Sequence, residues 1–209
     1  MNSASAFANP AGLDLAPEQD RRAELSVALW VFMGVATTLF LLFLAAYVMR
    51  MNGADWAAIT IPWQLNLSSI LLICASLSLR QANTAARASQ VSGCRLLLQV
   101  AGACSLGFLA SQLAAWQALV SMQVALAGNP SASFFYLLTA MHGLHVLGGL
   151  VIYTLTLRHA WRATDIGKVS WQIALCARYW HFLLAVWLLL FAALSWLTPE
   201  WVQAICGTR

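Results

Sequence analysis

The chain alternates long apolar blocks with short polar ones. Residues 25–49, 63–79, 96–120, 134–157 and 179–197 contain no Asp, Glu, Lys or Arg. A helix needs about 20 apolar residues to cross the hydrocarbon core of a bilayer, so each block predicts one transmembrane helix. The breaks agree with this division. Asn52, Gly53 and Asp55 follow the first block and Asn129-Pro130 precedes the fourth. Pro62 stands at the entry to the second, where a helix has no partner for that N–H. The pattern predicts an all-α polytopic membrane protein, with a tail over 1–24, a five-helix bundle over 25–197 and a short tail over 198–209.

Composition sharpens the class. Of 209 residues, 61% are hydrophobic and 9% charged, which excludes a disordered chain and a water-soluble enzyme. The formal net charge is +4, but the basic residues fall between the apolar blocks, where they orient a chain in a bilayer. With a cytoplasmic N-terminus, that side holds Arg21, Arg22, Arg80, Arg87, Arg95, Arg158, Arg162, Lys168 and Arg178, against Arg50 and Arg209 on the other. The expected topology is therefore N-in, C-out, and nucleic acid is not an expected partner. Asp14, Glu18, Asp20 and Glu24 occupy the first segment with no basic n-region, so no cleavable signal peptide is expected. Trp30, Trp63, Trp116, Tyr179, Trp180 and Trp196 lie near block ends, as rings at headgroup level would, or else pack between helices. The cysteines at 74, 94, 104, 176 and 206 form no CxxC pair, and Cys74, Cys104 and Cys176, inside or at the edge of apolar runs, read as small hydrophobes.

The blocks carry no ionisable relay of the kind that ion-coupled transporters use. Their polar residues are Asn66, Gln99, Gln112, Gln117, His142, His145 and His181, with scattered Ser and Thr, and these read as interhelical hydrogen-bond partners. Bundle histidines can also hold haem, copper or iron. Depth argues against a shared site: His145 is twelve residues before the end of its block and His181 two residues into the next, placing them ~15 Å apart along the membrane normal. His159 is level with His181 on the same count, but two interfacial histidines make a thin site. His142, His145, Gly149, Ile152 and Thr156 share one stripe at helical spacing, where Gly148 and Gly149 allow close approach of another helix.

These residues also carry a resemblance. The run from Phe134 to Gly149, FFYLLTAMHGLHVLGG, resembles the penultimate-helix motif FFxLTGxHGLHVxxG of subunit III of haem-copper respiratory oxidases. Tyr179-Trp180-His181-Phe182 with Trp187 resembles that family's YWHFxDxxW. Gln112 and Trp116 match its QxxEW, and Trp30 through Ala45-Ala46-Tyr47 matches WxFxxSE followed by AAY. The likeness spans residues 28–197 in the right order, and five helices resemble the short form found in bacterial quinol oxidases and some cytochrome c oxidases.

The resemblance implies a non-catalytic subunit of a bacterial terminal oxidase, multi-pass in the cytoplasmic (inner) membrane. That complex reduces oxygen with electrons from cytochrome c or quinol. In the family this subunit holds no metal or haem of its own. It packs beside a catalytic subunit I, with subunit II as a further partner, and binds phospholipid between its helices. Haem and copper then belong to the partners. Arg158 aligns with a family arginine near lipid phosphate, while Gln112, Trp116, His142, His145, Gly149, His181 and Trp187 become packing and hydrogen-bonding positions. The chain departs from the pattern at three carboxylates: Ala36, Ala115 and Leu184 stand where the family has Glu, Glu and Asp. Their loss removes proton-exchanging groups and points to assembly and lipid organisation instead of proton delivery. An accessory subunit of a nitric oxide reductase fits the same motifs, and a haem-binding cytochrome using His142 or His145 is the remaining alternative.

Overall fold

The computed structural model describes residues 16–51, 53, 56, 57, 59, 62–122 and 129–197; the expected tail 198–209, Cys206, Asp14 and most of the expected tail 1–24 lie outside them. The described residues form five α-helices and no strand. These are α1 (Ala16–Arg50), α2 (Gln64–Arg87), α3 (Val91–Ser121), α4 (Pro130–Arg162) and α5 (Ser170–Trp196), with a single 3-10 turn (Ile166–Val169) before α5. All five are long and apolar enough to cross a membrane, and the protein is an all-α, multi-pass membrane protein.

Each helix runs past its apolar block, mostly at the end rich in basic residues. α1 starts at Ala16, α2 continues to Arg87, α4 continues to Arg162 and α5 begins at Ser170. The most frequent of the added residues are Ala and Arg, with some Gln and Glu, which favour helix without being apolar enough to register as membrane-buried. The chain also supplies the stops. At α4 the Asn129 side chain accepts from the Ser131 N–H at 3.0 Å with Pro130 in the first helical position. Asn129 also reaches back to the α1–α2 connection, donating through Nδ2 to the Ala57 carbonyl at 2.7 Å. After α2 the chain reverses through Ser89 at φ 57°, with Gln90 N–H donating to Ala85 at 2.9 Å.

The core lies among α2, α3, α4 and α5. α2 and α3 both bury small residues, Ser68, Ser69, Ala75 and Ser76 on the one and Ala101, Gly102, Ser105 and Ala115 on the other. Large rings from α4 and α5 fill the remaining space and spend their polar tips on those small residues. Trp180 donates to Ser105 and Trp187 to Ser69, both at 2.9 Å, and Tyr153 donates to the Leu98 carbonyl above Gly102. α1 packs outside, on α4 and α5, through Phe40 against Leu138, Val186 and Leu190 and through Tyr47 and Met51 near Phe134. The aromatic residues near block ends divide accordingly. Trp30, Trp63 and Trp196 are exposed, whereas Trp116, Tyr179 and Trp180 pack within the bundle.

Candidate functional site

α1 packs tightly on α4 and α5 over its second half and stands away from them over its first, leaving a cleft of about 1020 Å³. Its walls are apolar: Leu25, Leu29 and Phe32 from α1, Leu144, Ile152 and Leu155 from α4, and Leu175 from α5. Arg21 and Arg22 of α1 and Lys168 of the 3-10 turn lie at one end, with His159 and Gln172. Cation–aromatic contacts tie α1 to α5: Arg22 lies 5.4 Å from the Trp171 ring at that end, and Arg178, next to Tyr179, lies 5.8 Å from Trp30 while donating to Ser26 at 3.0 Å.

The inner end is set by Gly149, where any side chain would intrude: a Cβ there would fall 2.6 Å from Cε1 of Tyr179. That close approach lets the Tyr179 hydroxyl donate to the His145 carbonyl at 3.0 Å. His145 lines the cleft, and its Nδ1 donates to the Met141 carbonyl at 2.7 Å, because a carbonyl can only accept. Its Nε2 is then left as an acceptor.

The residues singled out from the sequence separate into two regions. His145, Gly149, Ile152 and Thr156 line the cleft, but His142 of the same expected stripe is turned into the core with no exposed surface, against Phe108, Trp187 and Phe40. Gln112 donates to Ser68 at 2.8 Å, Trp116 to Thr139 at 3.0 Å, and Trp187 to Ser69, so all three tie helices together. Asn66, Gln99 and Gln117 are exposed on the bundle surface. Arg158 is exposed and lies outside the cleft lining, where Arg21, Arg22 and Lys168 supply the positive charge.

The expected spacing of His145 and His181 needs correction. Because α5 starts at Ser170, His181 lies well inside it, and the pairs Thr156–Cys176 and His142–Trp187 put it level with the Gly149 turn, ~6 Å from His145 along the bundle. Direction separates the two instead of depth. His181 bonds through Nδ1 to Ser76 of α2, and His145 faces Phe32 and Phe40 of α1. His159 bonds to Gln172 at 3.0 Å, not to His181. Among the described residues, no three His, Cys, Asp or Glu side chains come together in a group that could hold a metal ion.

Arg21, Arg22, Lys168, Trp171 and the Ser105–Trp180 tie were not singled out as site residues. The first two stand before the apolar block, and only continuation of α1 past that block brings them to the cleft.

No family model matches the chain. Similar proteins do. Cytochrome c oxidase subunit 3 of Synechocystis sp. is 32% identical over 129 residues, 60% of this chain and 53% of that protein. Cytochrome c oxidase subunit 3 of Thermostichus vulcanus is 29% identical over 136 residues, 63% of this chain and 65% of that protein. A protein of Nocardia farcinica named probable cytochrome c oxidase subunit 3 is 30% identical over 142 residues, 64% of this chain and 68% of that protein. The chain thus spans between about half and two thirds of these relatives' length. A five-helix membrane bundle bearing HGLHV on α4 and YWHF on α5, matched over that span, belongs to the cytochrome c oxidase subunit 3 family of the haem-copper oxidases.

Proposed function

We propose that this chain serves as a non-catalytic subunit of a bacterial terminal oxidase, supporting the assembly and stability of a catalytic haem-copper subunit and organising phospholipid beside it. Family membership supports the oxidase part. The observation that carries the lipid part is the cleft between α1, α4 and α5, whose walls are apolar and whose one end gathers Arg21, Arg22 and Lys168. Acyl chains match such walls, and a phosphate matches that end through charge-assisted hydrogen bonds. Arg158, one turn from the end of α4, remains a second candidate for a headgroup contact.

The three positions without carboxylates fit the same role. Ala36 and Ala115 are buried and Leu184 is half-buried, so hydrocarbon occupies these packed sites and offers no proton-exchanging group there. Electrons and protons would then move through partner chains carrying the haem and copper. The basic residues favour a cytoplasmic N-terminus, an external tail over 198–209 and an inner-membrane location.

The test is purification of the tagged chain from its own membranes in mild detergent, followed by mass spectrometry and a reduced-minus-oxidised spectrum. Co-purification of haem-copper subunit I, subunit II and bound phospholipid is expected. A stable homo-oligomer free of both overturns the reading, and a nitric oxide reductase catalytic chain in place of subunit I reassigns the complex.

A further inference from the structure

A second polar site lies in the bundle core, apart from the cleft. His142 has no exposed surface, and both its ring nitrogens lack a hydrogen-bond partner. A neutral imidazole presents one donor and one acceptor, and neither can turn to water outside from this depth in a membrane. On α3, buried Gln112 spends its Nε2 on Ser68 and leaves Oε1 without a partner. The orphans are chemically complementary: an amide oxygen only accepts, and the imidazole holds an unused donor.

They also lie at one height. The ring of Phe108, one turn before Gln112, is 5.6 Å from that of His142. Trp116, one turn after Gln112, donates to Thr139, three residues before His142. Gln112 is therefore bracketed by two contacts that register α3 against α4 at residues 139 and 142. α2 and α5 close the enclosure, since Ser68 adjoins Ser69, which accepts from Trp187, and the Trp187 ring lies 5.2 Å from that of His142.

We infer that a water molecule is bound in the core at this level, bridging the His142 imidazole to Oε1 of Gln112. Water is the ligand that this chemistry selects. It can accept from a ring N–H and donate to an amide oxygen, and it is small enough for an enclosure whose residues Phe108, Gln112, His142 and Trp187 are at most 4% exposed. Buried water is a regular component of folded chains, at roughly one molecule per 27 residues, and its usual place is between otherwise unsatisfied buried polar groups. The bridge joins α3 to α4 by a polar contact whose two ends cannot be replaced independently, and it requires no carboxylate.

The experiment is water-edited solid-state NMR on the full chain, labelled with ¹⁵N-histidine, in phospholipid bilayers. His142 is assigned by loss of its signal in His142→Phe, or, where that variant does not fold, by elimination with His145→Gln, His159→Gln and His181→Gln. Magnetisation transfer from water to the His142 ring is expected, and Gln112→Met, which removes Oε1 at similar volume, is expected to abolish it while the ring signal persists. Absence of transfer in the unmodified chain, as when the N–H lies on an aromatic face, overturns the proposal. So does transfer that Gln112→Met leaves unchanged.

Discussion

At Gly149 a single missing Cβ sets the shape of the cleft. Tyr179 lies against the bare backbone there, and Trp180 also comes within 3.3 Å of a would-be Cβ, so an added methyl would meet two rings. Gly149→Ala is expected to push the ring aside, break the Tyr179–His145 hydrogen bond and destabilise the chain by about 1–3 kcal/mol, the usual cost of overfilling a packed site. Gly148→Ala is the matched control, because nothing lies within 4 Å of its Cβ position. Thermal unfolding of the two variants in the same detergent separates them: equal melting temperatures would show that the close approach at Gly149 carries no weight. Ser89 presents the opposite case, a side chain where glycine belongs. Its φ of 57° closes the turn from α2 to α3, and Ser89→Gly is expected to raise stability by roughly 1 kcal/mol in the same assay.

At the scale of whole helices, the number and kind of elements were legible from apolar runs, and their ends were not. Hydropathy reports how much chain the hydrocarbon covers, whereas the backbone ladder continues as long as local propensity and a neighbour support it. Residues Ser170 to Arg178 show the consequence: they precede the last apolar block yet form the first turns of α5, which moved His181 from an expected shallow position to the level of Gly149. Helical spacing placed His142 and His145 on one stripe. It could not say that the edge between core and cleft falls between them, because that edge depends on where α1 packs. Motif resemblance marked Trp187, but its partner Ser69 lies on another helix and belongs to no pattern along the chain. Arg95 adds another tie between helices. From α3 it donates to the Ala160 and Trp161 carbonyls at 3.3 and 3.1 Å and lies 5.0 Å from the Trp161 ring, covering the end of α4 where carbonyls lack intrahelical donors. Arg95→Met is expected to weaken that end by about 1 kcal/mol, seen as faster hydrogen exchange confined to the last turn of α4. Unchanged exchange there would reduce Arg95 to a solvated surface residue.

For the molecule as a whole, the decisive arrangement is that α1 packs most closely on α4 and α5 over its second half. Phe40, Tyr47 and Met51 anchor that half, while Arg22 and Arg178 reach across to Trp171 and Trp30 over the other and keep the cleft from opening fully. A lipid seated there would act as a sixth packing element, its chains filling the volume that α1 leaves and its phosphate drawing on Arg21, Arg22 and Lys168. Each basic group near a headgroup is worth about 1 kcal/mol, so replacing all three with Gln is expected to weaken retention of an anionic phospholipid by roughly 10²-fold. Native mass spectrometry of the complex in graded detergent reads this directly as the fraction of chain carrying lipid. Arg158→Gln serves as the comparison, since that residue is exposed outside the cleft. If the triple variant loses lipid and Arg158→Gln keeps it, the headgroup lies at the end formed by α1 and the 3-10 turn. If Arg158→Gln alone causes the loss, the family alignment locates the phosphate better than the cleft does, and the basic end formed by α1 serves only to hold the helices together.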